Sequence, residues 1–208
     1  MTFLESIGLD SLDLTIAIVM ALFTLWFSWF QFMRAQRQRT SDLYSEFYNS
    51  DHYRRVVMPV YRLTRRVEAL PDGAKEEYWR AIVAGWDRTP DSAALYEAFV
   101  TRQEREMSAM EQHFYVESST EMHTEHEALT AFLYFWVRAH RMLNTGLVNK
   151  ALFVELFCNS FAYYHGFIEE LRVRVEDVFA CEPERVQRQK PGWITATRYI
   201  EDLLEPRT

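Results

Sequence analysis

The stretch Leu14–Met33, LTIAIVMALFTLWFSWFQFM, decides how this chain is organised, because twenty consecutive residues carry no charge. Asp13 precedes the stretch and Arg34 follows it. A helix of this length rises about 30 Å, which is the thickness of the hydrocarbon core of a bilayer. The stretch therefore predicts a transmembrane helix.

The charges on either side of this stretch predict its orientation. Residues 1–33 contain three acids and no Lys or Arg, whereas residues 34–66 contain eight arginines and three acids. Positive charge beside a span favours the cytoplasmic side. We therefore expect a short extracytoplasmic N-terminus at 1–13, an uncleaved transmembrane helix at 14–33 and a cytoplasmic domain at 34–208, in a bacterial inner membrane.

The arginines form a basic collar beside the span. The first three, Arg34, Arg37 and Arg39, are close enough to the membrane to meet anionic lipid head groups, although topology alone would also explain them. The remaining five are Arg54, Arg55, Arg62, Arg65 and Arg66. For these we expect either a contact with the membrane or ion pairs with the acidic body of the protein.

Composition limits the classes of protein to which the chain can belong. Beyond the span about 175 residues remain, enough for one domain with a core. Gly and Pro number only six each, which favours long helices over strands and turns. Residues 67–208 are acidic, so no large basic face remains for a nucleic acid. The two cysteines, Cys158 and Cys181, form no CxxC motif and suit a reducing compartment.

Apolar periodicity predicts an all-α fold, a bundle of about six helices into which the membrane helix continues without a break. The Arg34 helix is expected to run through Tyr48, and Pro59 to kink the next one, which ends at Pro71-Asp72-Gly73. The later helices are expected at 74–86, 90–116, from a capping box at 118–121 to Gly146, from about 150 through 175, and after Pro191.

Two of these helices are expected to form the core. Residues 128–137, ALTAFLYFWV, are apolar on nearly all sides, as in the central helix of a bundle. The helix after Gly146 carries an apolar stripe at steps of three or four: Phe153, Phe157, Phe161, Tyr164, Ile168, Leu171 and Val175. We expect the two helices to pack antiparallel across Gly146. The last helix is expected to be anchored by Trp193, Ile200 and Leu203.

One face of the span predicts an association site. A seam of small and polar residues follows a heptad-like spacing: Ala17, Ala21, Thr24, Ser28 and Gln31. Small residues let helix backbones approach closely, and hydroxyl and amide groups bond across such contacts. Self-association or docking on a partner's membrane helix is the functional interpretation, and chance placement in a lone anchor is the alternative.

The chain also resembles the uncharacterised bacterial proteins that join one N-terminal membrane span to one helical cytoplasmic domain. The segments that carry the resemblance are Tyr53–Arg55, Val60–Leu63, Phe132–Val148 and Phe161–Tyr164, followed by Ile168 and Arg172. The resemblance implies an architecture and supplies no catalytic residue.

A segment rich in His and Glu, residues 113–127, is the strongest candidate for chemistry. Its candidate metal ligands are His113, His123, His126 and Glu127. Imidazole and carboxylate groups bind zinc or iron, but the spacing is neither HExxH nor a pair of Glu-x-x-His motifs. We favour a solvated helix face here and predict no cofactor.

Two further histidines, His140 and His165, have either a functional role or an ordinary packing role. His140 falls on an apolar face and is expected to be a core residue with a satisfied ring nitrogen. His165 and Glu169 lie four residues apart, on one helix face, beside the apolar stripe. A ligand pocket there is the sharper hypothesis, and an amphipathic helix is the one we favour.

The sequence contains no phosphate-binding loop, nucleophile elbow or dinucleotide fingerprint. We therefore expect a membrane-anchored binding, scaffold or regulatory subunit of a larger assembly, with the lipid bilayer and a protein or a second copy as partners. One alternative is a defence or toxicity effector whose assembled spans breach the membrane. The other is a bundle metalloenzyme that uses the His113–His126 cluster.

Overall fold

The computed structural model describes residues 11–84, 94, 125–180 and 191–204, and every element within them is helical. A π-helical turn, Tyr53–Val57, joins the second helix to the third. The α-helices are α1 (Ser11–Phe47), α2 (Ser50–His52), α3 (Met58–Ala69), α4 (Asp72–Ala84), α5 (Glu125–Asn144), α6 (Lys150–Ala180) and α7 (Gly192–Leu204). The predicted all-α class is confirmed.

The first helix, α1, is a single unbroken element of 37 residues. At 1.5 Å per residue it is about 55 Å long, nearly twice the hydrocarbon thickness of a bilayer. It ends at Phe47, so the membrane-span candidate and the first helix of the bundle are one rigid rod. This continuity matches the prediction from the sequence.

The helix α6 runs alongside α1, away from the span. At its start the backbone N–H of Asn149 donates to the Thr40 hydroxyl at 2.8 Å. Further along, the Tyr48 and Ser160 hydroxyls share a hydrogen bond. The helix α5 precedes α6 across a short turn and returns antiparallel to it, as predicted.

That turn ends α5 in a Schellman motif. Gly146 has φ of 64°, a left-handed conformation that disfavours side chains with a Cβ. The Gly146 N–H donates to the Leu143 carbonyl, and the Leu147 N–H donates to the Met142 carbonyl. These are the two bonds that define the motif, and they confirm Gly146 at the predicted position after the helix.

The core is built from aromatic rings contributed by α1, α5 and α6. Phe47 is 1% exposed, and its ring centroid lies 4.8 Å from that of Phe135, 5.7 Å from Trp136 and 5.8 Å from Phe157. All seven residues of the predicted α6 stripe are buried. The prediction that α5 and α6 form the core is therefore confirmed, and α1 completes it.

The last helix, α7, packs against both α5 and α6. Trp193 and Ile200 are buried, and Leu203 is half-buried against the core. The predicted anchors of this helix are confirmed.

The irregularity predicted at Pro59 lies one turn earlier. Within the π-helical turn the Met58 N–H bonds to the Tyr53 carbonyl, five residues back. Pro59 then occupies the first turn of α3, where its missing N–H leaves the fewest bonds unmade. The helix continues through the proline because the change in backbone hydrogen bonding is made before it, in the π-helical turn.

Two boundaries differ from the sequence prediction by a few residues. The helix α3 ends where Leu70 becomes extended, with ψ of 142°, as expected of a residue before a proline. Asp72 and Gly73, which were predicted to separate the two helices, instead form the first turn of α4. Apart from residue 94, the predicted helix at 90–116 lies outside the described residues, as does the capping box at 118–121.

Candidate functional site

The apolar half of α1 lies outside the bundle. Nearly every large apolar side chain along it is exposed, with Leu25 at 67% and Trp29 at 61%. An 18-residue window of this helix has a mean hydropathy of 1.8 and none of it is buried. By length and composition, this is one helix able to cross a membrane. An apolar surface of this size favours a membrane or a partner as its surroundings.

The five residues of the predicted association seam are all exposed on α1: Ala17, Ala21, Thr24, Ser28 and Gln31. The Thr24 hydroxyl donates to the Met20 carbonyl at 2.8 Å within the helix. Its oxygen therefore remains available to a second helix mainly as an acceptor. No described part of the bundle covers this face.

A second face of the span was missed by the sequence reasoning. The rings of Phe23, Trp26, Phe27 and Phe30 form a ladder, with centroids 5.9 to 6.3 Å apart. At 100° per residue this ladder lies about 130° around the helix from the seam. The signal was present in the sequence as aromatic residues at spacings of three and four. Small residues on one face and rings on another would let a second helix approach most closely at the seam.

The basic collar divides into two groups. Arg34, Arg37 and Arg39 are exposed on α1 directly after the span. The Tyr61 ring of α3 stacks on Tyr163 of α6 at 5.5 Å, further along α6 than Ser160, which bonds to Tyr48. The later arginines of α3 therefore lie further from the apolar half of α1 than Tyr48 does.

Two of those later arginines have partners within the bundle. Arg65 pairs with Glu68 at 3.2 Å, and Arg66 donates to the Tyr78 hydroxyl at 3.1 Å. For Arg65 and Arg66 the geometry favours contacts within the protein, and for the other three arginines both expectations stay open.

A cluster of ionisable groups joins α6 to α7. The His165 imidazole bonds to one oxygen of the Glu201 carboxylate at 2.7 Å, and the Arg172 guanidinium donates to the other at 2.9 Å. Arg172 also pairs with Glu169. The Arg172 side chain is only 8% exposed, so the cluster is anchored from inside the bundle. His165 and Glu169 lie on one face of α6, as their spacing predicts. They contact Glu201 of α7 and Arg172 of α6, respectively.

The same cluster contains three groups that could hold a cation. Ligand atoms of His165, Glu169 and Glu201 lie within 4.8 Å of one another. The Arg172 guanidinium already donates to Glu201 and pairs with Glu169, however, and would have to be displaced by a metal ion. The donor set therefore fits an ionic clip between two helices better than a metal centre.

The electrostatics of Glu201 agree with that assignment. Burial alone would raise the pKa of its carboxyl, but the hydrogen bonds and charges of His165 and Arg172 together hold the pKa below its ordinary value of 4.5. A carboxylate kept ionised between two donors stabilises the contact between α6 and α7 at neutral pH.

A groove of about 450 Å³ lies where α1 meets α5. It is lined by Glu46, His52, Ala131, Tyr134, Phe135, Val137, Arg138 and Arg141. Glu46 and Arg138 form a salt bridge of 2.6 Å, and Tyr134 is 68% exposed. An exposed aromatic ring beside arginines is typical of protein-binding surfaces.

His52 forms one wall of this groove. Its Nε2 atom is buried and has no hydrogen-bond partner among the described residues. Burial lowers the pKa of His52 more than nearby Glu46 raises it, and Arg138 lowers it further. The imidazole is therefore neutral at pH 7, and its protonation would be opposed by the folded state.

Of the four metal ligands predicted from the sequence, only Glu127 has a side chain among the described residues. His113 and His123 lie outside them, and the side chain of His126 is likewise not described. Glu127 is exposed near the start of α5. The metal hypothesis at this segment stays a prediction.

His140 differs from its predicted role in one respect. It is half-buried rather than in the core, and its ring centroid lies 4.7 Å from that of Tyr199. Its Nε2 atom bonds to the Asn144 amide at 2.7 Å, so the predicted satisfied nitrogen is present.

Comparison of the chain with protein-family models, with curated proteins and with solved structures finds no match.

Proposed function

We propose that this protein is a membrane-anchored binding module, whose apolar half of α1 crosses the bilayer and whose helical bundle binds a protein partner. The observation that carries the proposal is the division of α1. One uninterrupted helix is fully exposed and apolar at its start, and it supplies Leu43 and Phe47 to the core at its end.

A rigid junction of this kind suits an anchor or a regulatory subunit of a membrane assembly. Because no flexible linker separates span from bundle, rotation or tilt of the span moves the bundle with it. The bundle would lie on the cytoplasmic side of a bacterial inner membrane, since Arg34, Arg37 and Arg39 follow the span directly.

The seam is the surface through which we expect the span to associate. No described part of the chain covers it between Ala17 and Gln31, and its side chains permit close approach of a second helix. The groove beside Tyr134 and Arg138 is the corresponding candidate on the bundle.

Chemical crosslinking of the full chain in mild detergent tests association through the seam. The variant Ala21→Leu with Ser28→Leu places bulk on the seam and is expected to weaken dimerisation by about 1 kcal/mol, roughly fivefold. Val19→Leu, on the opposite face, is the matched control and should leave dimerisation unchanged.

Two results would overturn this assignment. Dimerisation that is equal in the seam variant and the wild type would show that the seam is not the contact. Equal weakening by Val19→Leu would show an effect of bulk anywhere on the span.

The membrane-active effector stays a prediction. Its test is expression of the full chain in cells loaded with a membrane-potential dye. Depolarisation that is lost in the seam variant would favour the effector over the anchor.

A further inference from the structure

We infer that the turn between α5 and α6, residues 145–150, is a second membrane-contacting element, which lies on the anionic lipid surface beside the span. The inference depends on the proposed function, because it takes the apolar half of α1 to cross the bilayer. It assigns a lipid contact to a part of the bundle some 110 residues away in sequence from the span.

The height of the turn is set by two hydrogen bonds to α1. The Gln36 amide donates to the Gly146 carbonyl at 2.6 Å, and the Asn149 N–H donates to the Thr40 hydroxyl at 2.8 Å. Gln36 lies three residues beyond Met33, so the Gly146 carbonyl sits about 5 Å above the end of the span. The head-group layer of a bilayer is about 5–8 Å thick on each side. The turn therefore lies within that layer.

The turn presents an apolar side chain at this depth. Leu147 is 40% exposed, although a residue that follows the left-handed glycine of a Schellman motif usually packs back on its own helix. The next residue, Val148, is buried and fixes the turn to the bundle. Leu147 is thus held outward, where contact with lipid would remove its apolar surface from water.

The charges around the turn match an anionic surface. Residues 141–150 contain Arg141 and Lys150 and no acid. Residues 34–41 of α1 contain three arginines and no acid. Lys150 is exposed about 10 Å above the span, at the level of Thr40, from where its side chain reaches toward lipid phosphates. Leu147 and these cations would give the bundle a second support and so limit its tilt.

Lipid quenching of the full chain in vesicles tests the inference. In a Cys158→Ser, Cys181→Ser background, single cysteines are placed by Leu25→Cys, Leu147→Cys or Val173→Cys and labelled with an environment-sensitive fluorophore. Val173 is the matched control, since it is 47% exposed on α6. The vesicles combine phosphatidylcholine and phosphatidylglycerol, with bromine on the acyl chains as the quencher.

We expect the strongest quenching at position 25. Position 147 should be quenched at least about threefold more than position 173, which lies about 35 Å further along α6 from the bilayer. In vesicles of phosphatidylcholine alone, quenching at position 147 should fall. Each labelled protein should retain the circular dichroism of the parent, and Thr145→Cys supplies a second label in the same turn.

The outcomes separate this inference from the proposed function. Absence of quenching at position 25 would overturn the membrane span and, with it, the lipid contact of the turn. Quenching at position 25 with equal values at 147, 145 and 173 would overturn the turn contact alone. Equal quenching at 147 in neutral and anionic vesicles would overturn the role of the anionic surface.

Discussion

The two halves of α1 are opposite in composition and in surroundings. Between Leu14 and Met33 the side chains are mostly apolar and exposed, whereas beyond Arg34 the helix is mostly polar yet supplies Thr40, Leu43 and Phe47 to the interior. One helix thus serves two environments. The bundle closes its core with a few residues of the polar half and leaves the apolar half uncovered.

The difference shows that apolar content does not by itself place a segment in a core. A core position requires neighbours, and Phe47 has rings from α5 and α6 around it. The apolar half of α1 has no such neighbours among the described residues, and its side chains stay exposed.

The largest expected effect comes from charging the exposed half. Leu22→Arg with Leu25→Arg should disfavour membrane insertion by about 6 kcal/mol, because each arginine at a span centre costs about 3 kcal/mol relative to leucine. We expect the variant to be extracted from membranes by alkaline carbonate while its bundle still unfolds cooperatively. The double alanine variant is the control and should stay in the membrane. Retention of the arginine variant would contradict the span.

The next effect tests the buried half. Phe47→Ala should reduce the free energy of unfolding by about 3–5 kcal/mol, because it leaves a cavity among packed rings. Urea unfolding of the full chain in mild detergent measures it, and membrane insertion should be unchanged. Val173→Ala, at an exposed position, should change stability by at most about 0.5 kcal/mol. A loss at Phe47 no larger than this would mean that α1 does not complete the core.

A smaller effect is expected at the ionic cluster, which tests whether the stability of the bundle around Phe47 also depends on these ion pairs. Arg172→Leu removes the donor to Glu169 and Glu201 and should cost about 1–3 kcal/mol of unfolding free energy. The exposed pair of Arg65 and Glu68 supplies the matched control, since Arg65→Leu should cost at most about 0.5 kcal/mol. Equal losses in urea unfolding would show that burial of Arg172 adds nothing.

The smallest effect concerns pH at the edge of the buried half, where the His52 ring centroid lies 6.2 Å from that of Phe47. Burial lowers the pKa of His52 from 6.5, and that of half-buried His140 in the same direction. The unfolded chain therefore takes up these protons first, and stability should fall as pH drops below 6.5.

The same measurement separates His52 from its neighbours. His52→Gln should flatten the slope of stability against pH near pH 6, and His140 should account for the remainder. Below pH 4.5 a further loss should follow from Glu201, whose pKa is lowered in the folded state, so that protonation favours unfolding. An unchanged slope in His52→Gln would remove His52 from this account.

Much of the fold followed from local patterns. The uninterrupted first helix, the α6 stripe from Phe153 to Val175 and the glycine that ends α5 were all predicted, because helical periodicity and a left-handed cap are properties of neighbouring residues. The π-helical turn before Pro59 was not predicted, since a single extra residue in a helix leaves no periodic mark.

The candidate sites were predicted less well. His165 and Glu169 share a helix face and were found from their spacing. Glu201 lies on another helix, and no local pattern associates it with Arg172. The groove of Tyr134 and Arg138 likewise forms only when α5 lies beside the end of α1.

The sequence by itself determined the all-α class, the apolar stretch long enough for a membrane and the residues that face the core. These depend on composition and on spacing along one helix. The tertiary structure alone decided that Gln36 holds the Gly146 turn and that Glu201 joins Arg172. Such pairs depend on which helices pack together and in which direction, and that is a property of the whole core.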